Sequence, residues 1–317
     1  MIKNMIKILR KMMEKDQKSQ LIKRAAHSKS LGLLKAYFTI RPDLPDNLRI
    51  GLFKISKTYP AFIRFSNSNP KFSSDTFKDF RGFAIKLIND QNSHFPQDFI
   101  LTSTPKVPLG TLVEFYETIY YGLKNPIFLL LKIIFQGKLN KFIKIYKLMN
   151  HDTSPLDIRY WSVTPYMFGN DIVKYVIIPS SIYTSKLPKT LTPSYLTENM
   201  QKHLLTQEAN FDFFIQIRKD ENKMPIDDVS VEWLEKDSPF LKVAEINIPP
   251  QTFQTHQRFH LAETLSFSPS NSLYEHRAIG SINEARIIIY KALSAFRQQR
   301  NQFQLYKITE ADFHSIP

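Results

Sequence analysis

Residues 61–66 read Ala-Phe-Ile-Arg-Phe-Ser, and this run decides the kind of fold that the chain can adopt. A β-strand points successive side chains to opposite faces, so Phe62, Arg64 and Ser66 share one face while the other face is wholly apolar. The run therefore predicts a strand that lines a core. On the shared face, Arg64 needs an anionic partner if it is buried, or lies at a strand end and reaches water. Both interpretations stay open at this point.

Runs of the same kind lie on both sides of this strand. Between residues 33 and 103 they are separated by Pro, Asp, Asn and Ser, and strands resume near residue 171. The predicted strands are LLKAYFTI, NLRIGLFKI, AFIRFS, GFAIKLI, DFILTS, DIVKYVIIP, FDFFIQIR, VSVEWL and VAEINIPP. Strands of this number and length predict an antiparallel sheet or barrel.

Three segments have helical periodicity instead. Residues 2–25 predict a basic amphipathic helix or arm, residues 111–150 two helices broken near Asn125-Pro126, and residues 281–300 a final helix. Strands interrupted by helices indicate the α+β class. We expect an N-terminal arm over residues 1–23 and one domain over residues 24–317, with a helical insertion at about 111–150.

The composition excludes several classes of site. The 317 residues contain no cysteine, which rules out iron–sulfur clusters, thiolate ligation and cysteine nucleophiles. The net charge of +14 comes mainly from residues 1–24 and 124–150, so we expect no continuous phosphate track and no nucleic-acid partner. The N-terminus has no signal-peptide pattern and no apolar run is long enough to span a bilayer. These features predict a cytoplasmic protein.

A stripe of polar side chains follows the predicted final helix. Arg286, Tyr290 and Arg297 are four and seven residues apart, which places them on one side of a helix. A cation beside a phenol favours the phenolate, and a phenolate can ligate ferric haem iron. The pattern is also that of a tyrosine packed on a helix between two solvated arginines.

Histidines are the other candidates for chemistry. His27 precedes the first predicted strand, where it could act as a general acid–base or be merely structural. His256 and His260 have the spacing of a helical metal pair but lack the glutamate of a zinc protease motif, so we interpret them as structural. The chain contains no recognisable nucleotide-binding or serine-hydrolase motif.

Four segments taken in order resemble the catalase family. They are RAAHSKS (24–30), IRFS (63–66) followed by DFRGFAIK (79–86), LSFSPSN (265–271), and the final-helix pattern Arg286-to-Tyr290-to-Arg297. LPDNLRIGLF (44–53), YWSVTPY (160–166) and EHRAIGSIN (275–283) are similar to short catalase-related haem proteins. The resemblance covers roughly residues 24–300 and implies a catalase-type antiparallel β-barrel with inserted and C-terminal helices that enclose a haem.

The resemblance also implies roles for individual residues. His27 matches the distal histidine that moves a peroxide proton, and Ser66 matches the serine that orients it. Tyr290 matches the proximal ligand of the iron of haem b, and Arg286 the arginine bonded to its phenolate. The arginines that pair with the haem propionates correspond to the set Arg24, Arg64 and Arg297. The implied activity is that of a peroxidase or weak catalase on hydrogen peroxide or organic hydroperoxides, with an unidentified electron donor.

The chain departs from the family pattern at Ser103-Thr-Pro, where catalases have Asn-Thr-Pro. A serine hydroxyl has one donor where the amide has two, so we expect hydrogen peroxide to be positioned less well at Ser103. A fatty-acid hydroperoxide lyase or isomerase is therefore an alternative, and a haem-binding protein without turnover is another. The long arms of full catalases are missing, so their tetramer is not expected to carry over.

Residues 124–147 are rich in Leu, Ile, Phe and Lys. One interpretation is a helical hairpin that packs one face on the barrel. The other is a basic amphipathic surface that lies on an anionic membrane and draws lipid hydroperoxides toward the haem, with the basic N-terminal helix adding to it.

Overall fold

The computed structural model describes residues 1–15, 21–88, 96–303 and 308–316. The strands of these residues are β1 (Ser30–Ile40), β2 (Thr58–Asn67), β3 (Arg81–Leu87), β4 (Gln97–Thr102), β5 (Tyr160–Trp161), β6 (Tyr166–Phe168), β7 (Asp171–Pro179), β8 (Ala209–Ile217) and β9 (Phe240–Ile248). The helices are α1 (Ile2–Lys15), α2 (Leu112–Lys124), α3 (Pro126–Phe135), α4 (Leu139–Tyr146), α5 (Tyr195–Leu204), α6 (His256–Thr264), α7 (Ser281–Asn301) and α8 (Glu310–Ser315).

Eight of the strands form a closed antiparallel barrel. Hydrogen bonding runs in the order β5-β4-β3-β2-β1-β9-β8-β7, and β5 also pairs with β7. Trp161 makes the closure, because it pairs with Thr102 of β4 on one side and Val176 of β7 on the other. β6 pairs with β7 outside this ring. The predicted α+β fold with an antiparallel barrel is confirmed.

Aromatic rings fill the barrel. Phe38, Phe99 and Phe213 lie against one another, with ring centroids 4.8–5.7 Å apart. On β2, Ile63 and Phe65 belong to this interior, whereas Phe62 packs outward against α6 and α8. Because side chains alternate along a strand, Arg64 and Ser66 also point away from the barrel interior. The polar residues of β2 therefore face the helices that cover the barrel.

Two predicted strands are absent from the described residues. NLRIGLFKI forms two 3₁₀ turns, Asp46–Leu48 and Gly51–Lys54. Gly51 has a left-handed φ of 53°, which interrupts the extended backbone that a strand needs, and the adjacent Leu52 and Phe53 are both buried. VSVEWL is a loop held by hydrogen bonds between Val229 and both Val107 and Gly110.

The helical predictions hold in outline. α7 matches the predicted final helix. α1 ends at Lys15; residues 16–20 lie outside the described residues and Leu21 onward is not helical, so the prediction to residue 25 was too long. The insertion contains three helices, because the chain breaks at Gly137 (φ 66°) as well as at Asn125.

The helices lie in two groups. α6 packs on β1 and α8 on β2. α1 and α2 pack against α7, burying Met5 of α1 with Ala285 and Ile289 of α7. Within the described residues, no helix combines the length and apolarity that crossing a bilayer requires.

Candidate active site

His27 lies in a tight turn just before β1. Its φ of 55° is left-handed, a conformation that costs a non-glycine residue free energy and persists only when neighbours hold it. The His27 N–H donates to the carbonyl of Ser68, and Nη2 of Arg64 donates to the carbonyl of His27 at 2.9 Å. Backbone and arginine together fix where the imidazole points.

Two small residues sit beside the imidazole. Nδ1 of His27 lies 3.0 Å from Oγ of Ser66 on β2, and Gly82 of β3 pairs with Ser66 across the sheet. A Cβ added at Gly82 would lie 2.5 Å from His27 Nδ1 and 2.6 Å from Ser66 Oγ. Only glycine therefore leaves room for the histidine–serine contact.

The pKa of His27 is lowered to about 3. Burial is the main cause, and the positive charges of Arg64, Arg286 and Arg24 add to it. Part of the residue nevertheless stays accessible. At neutral pH the imidazole is uncharged, so it can accept a proton from a molecule beside it.

Three arginines converge on one carboxylate, Glu263 of α6. Arg24 and Arg297 lie 3.4 and 3.3 Å from its Oε2, and Arg64 lies 4.0 Å from its Oε1. Lys23 adds a fourth cation at 3.7 Å. Burial raises the pKa of Glu263, but these cations outweigh it and lower the pKa overall. Segments from both ends of the chain and from β2 thus meet at α6.

The cluster has more positive charge than one glutamate neutralises. Burial and the neighbouring cations lower the pKa of Arg64 well below its usual value and that of Arg297 to about 9. Nε of Arg64 is buried and finds no acceptor among the described residues. The arginine cluster therefore has excess positive charge and a hydrogen-bond donor without an acceptor. Binding of a second group with two negative charges would stabilise it.

Tyr290 lies on α7 beside this cluster. The Arg286 guanidinium stands 5.6 Å from the centroid of the Tyr290 ring and donates to Thr164 and Asn283. Burial lowers the pKa of Arg286, but Tyr290 and Tyr166 outweigh it and raise the pKa overall. Arg286 therefore remains charged next to the phenol.

The structure brings most of the predicted site residues together. Tyr290 lies close enough to affect the pKa values of both Arg24 and Arg64, and Arg286 affects that of His27. Ser103 lies at the end of β4, where its hydroxyl accepts the N–H of Arg81 at 2.8 Å. Its neighbour Thr102 pairs with Gly82, so Ser103 directly follows the residue that lies opposite Gly82 on the next strand.

Two contributors were missed by the sequence analysis. Gly82 carries a signal, since glycine within a strand marks a close approach of another group. Glu263 carries none, because a glutamate on a helix is ordinary. The histidine pair His256 and His260 lies on α6, and the described residues contain no metal-binding group of three or more His, Cys, Asp or Glu.

Part of the chain is similar in sequence to catalases. The sequence model of the catalase family matches residues 4–107, which include His27, Arg64, Ser66 and Ser103. Catalase HPII of Pseudomonas aeruginosa is 32% identical over 92 residues, which are 28% of this chain and 13% of that protein.

Solved structures resemble the chain over almost its whole length. A fungal catalase superposes with a TM-score of 0.74 at 17% identity, covering 93% of this chain and 64% of the other. Catalase A from Saccharomyces cerevisiae gives 0.68 at 18% identity, covering 97% and 65%. The chain thus spans less than two thirds of the length of these catalases.

The barrel with its covering helices defines the class: an α+β protein with the catalase fold. The match to the sequence model of the catalase family, over residues 4–107, falls within this fold.

Proposed function

We propose that the chain is a haem-dependent enzyme that acts on peroxides. The observation that carries the proposal is the convergence of a neutral His27, the Arg286–Tyr290 pair and an over-charged arginine cluster. A haem enzyme that acts on peroxides uses a base beside the iron, a ligand for the iron, and cations that bind the haem carboxylates. His27, Tyr290 beside Arg286, and the arginine cluster would fill these roles. The catalase fold supports the same proposal.

The described residues fit haem b. Arg24, Arg64 and Arg297 would bind its propionates, and the unpartnered Nε of Arg64 supplies a donor for them. Tyr290 would ligate the iron, with Arg286 stabilising its phenolate. Bound haem would supply an iron at which the peroxide oxygen–oxygen bond is broken.

His27 would move the proton. In the tautomer whose Nδ1–H donates to Ser66 Oγ, the other ring nitrogen, Nε2, is unprotonated and would take a proton from a peroxide and return it to the departing oxygen. Ser66 fixes the ring orientation, and the left-handed turn fixes the backbone. These two constraints hold the base in place before substrate arrives.

We further propose a peroxidase with weak catalase activity that needs a separate electron donor. The supporting feature is Ser103, whose hydroxyl already accepts a backbone hydrogen bond and offers a single donor where an amide would offer two. The same feature favours the second candidate, a lyase or isomerase of fatty-acid hydroperoxides. Product analysis with hydrogen peroxide and with a long-chain hydroperoxide separates these two and also separates them from a haem-binding protein without turnover.

Replacing His27 with alanine tests the proposed base. We expect His27→Ala to retain haem but to lose at least ~10²-fold in peroxide turnover, the usual size of a general acid–base contribution. Because the pKa of His27 is about 3, kcat/KM of the parent protein should show no acid limb near pH 6.5 and should fall only toward pH 3–4.

The exposed His314 provides the matched control, His314→Ala, which should change neither haem content nor turnover. Turnover of His27→Ala within a few-fold of the parent would remove His27 from the mechanism. A parent profile with an acid limb near pH 6.5 that vanishes in His27→Ala would contradict the neutral, buried imidazole.

A further inference from the structure

The helical insertion exposes an unusual amount of apolar surface. α3 has the sequence PIFLLLKIIF, yet Ile133 is its one buried residue. Ile127 is 71% exposed and Phe135 is 87% exposed. We define the α3–α4 face by six exposed side chains: Ile127, Leu130, Leu131, Ile134, Phe135 and Ile143. Contiguous apolar surface of this kind marks an interaction site.

The face is turned away from the neighbouring helix. Residues 127, 130, 131 and 134 recur every three to four positions and so share one side of α3. Contacts to α2 are made elsewhere, by the Tyr121–Phe128 ring pair at 4.8 Å and by the Lys132–Glu117 ion pair. α3 thus packs on α2, not on the barrel, which differs from the predicted hairpin packed against the barrel wall.

Lysines are spread along the insertion between these apolar residues. The segment from 112 to 147 has six lysines and two glutamates. Lys132 and Lys138 form ion pairs with Glu117 and Glu114 of α2. Lys144 and Lys147 are exposed, as is Lys124. The cations that remain for a partner are therefore those at the ends of the insertion and along α4.

We propose that the α3–α4 face binds the surface of an anionic lipid bilayer, with its apolar side chains among the headgroups and its lysines on the lipid phosphates. At ten residues, α3 is about 15 Å long, half of what spans a hydrocarbon core, so it lies in the interface plane. A second copy of the chain fits less well, because a two-fold contact brings equal positive faces together.

The insertion is connected to the proposed active site. Ser103 is followed after eight residues by Thr111, the N-cap of α2. Leu112 and Phe115 of α2 are partly buried against the cluster that contains Ile289 of α7, the residue before Tyr290. Bilayer binding would thus attach the chain to a membrane through an insertion whose first helix packs on the helix that carries Tyr290. The further step, that amphiphilic hydroperoxides are the substrates, rests on the proposed function. Binding of the α3–α4 face to a bilayer does not depend on that function.

Vesicle flotation of the full chain tests the docking without any peroxide. The probes are vesicles of phosphatidylcholine alone and with about 30% phosphatidylserine. We expect binding to the anionic vesicles only, weakened when salt is raised from about 0.1 to 0.5 M because screening shortens the reach of exposed charges. Lys144→Glu with Lys147→Glu should weaken binding at least about tenfold, since each basic residue near the surface contributes ~1 kcal/mol. Ile134→Ser with Phe135→Ser should weaken it at low and high salt alike.

Matched controls come from surface residues far from the insertion in sequence. Lys186→Glu with Lys189→Glu makes the same change of charge, and Ile182→Ser removes an isoleucine that is fully exposed. Both should leave binding unchanged, and thermal unfolding should show that every variant is folded. Equal binding to neutral vesicles, no binding at all, or a dimer that dissociates in Phe135→Ser would each overturn the proposal. Because flotation needs no turnover, its failure is distinguishable from failure of the peroxide activity.

Discussion

At the scale of single residues, the site depends on how closely small groups approach His27. Gly82 leaves room for the imidazole, and Ser66 contacts its Nδ1. Arg64 donates a hydrogen bond to the carbonyl of His27 in the left-handed turn. The contacts come from two neighbouring strands, β2 and β3, while His27 itself precedes β1. The position of the proton-accepting group is therefore a product of packing, not of one motif.

Gly82→Ala tests this dependence. The new methyl group would lie 2.5 Å from His27 Nδ1, so the ring or Ser66 must move. We expect haem binding to persist and peroxide turnover to fall by about 10²-fold, as for loss of the base. Haem content and turnover are measured on the same preparation.

Gly122→Ala is the matched control for Gly82→Ala, because its methyl group would meet only Leu129, at 3.5 Å. It lies within α2, where alanine is favoured over glycine. Gly122→Ala should retain full turnover. Full turnover in Gly82→Ala as well would mean that the His27–Ser66 contact does not govern the chemistry.

At the scale of elements, β2 and β4 end where β3 begins, and Ser66, Gly82 and Ser103 lie at or just beyond this shared edge. Ser103 holds this edge together by accepting the Arg81 N–H. An asparagine could keep that bond through its carbonyl oxygen and still offer two N–H donors. The edge can thus be altered at one position without removing its hydrogen bond.

We expect Ser103→Asn to raise hydrogen peroxide disproportionation relative to turnover of an organic hydroperoxide. The physical reason is the additional donor for a small, symmetric peroxide. Oxygen release and loss of the organic hydroperoxide are measured in parallel for the parent, Ser103→Asn and Ser103→Ala. The alanine variant loses the Arg81 bond and should gain nothing. A parent that already disproportionates hydrogen peroxide as fast as a full catalase would contradict the interpretation of Ser103.

At the scale of the whole molecule, periodicity predicted the barrel because runs such as AFIRFS place apolar residues at alternate positions, and these face the barrel interior, while the helices cover the other face of this strand. It failed at NLRIGLFKI, where the left-handed Gly51 interrupts an extended backbone, and at VSVEWL, which packs as a loop. The resemblance to catalases predicted the arginines but not Glu263, whose role depends on contacts with residues up to 240 positions away in sequence. Long-range neutralisation of this kind leaves no local pattern.

We propose that one haem binds between His27 and Tyr290, and titration of the protein with haem, followed in the visible spectrum, measures this binding. We expect one haem per chain with a ferric tyrosinate-type spectrum. Tyr290→Phe should abolish stable loading and remain soluble, whereas Tyr274→Phe, at a residue that is 74% exposed, should load like the parent. A full haem complement with an unchanged spectrum in Tyr290→Phe would contradict the account.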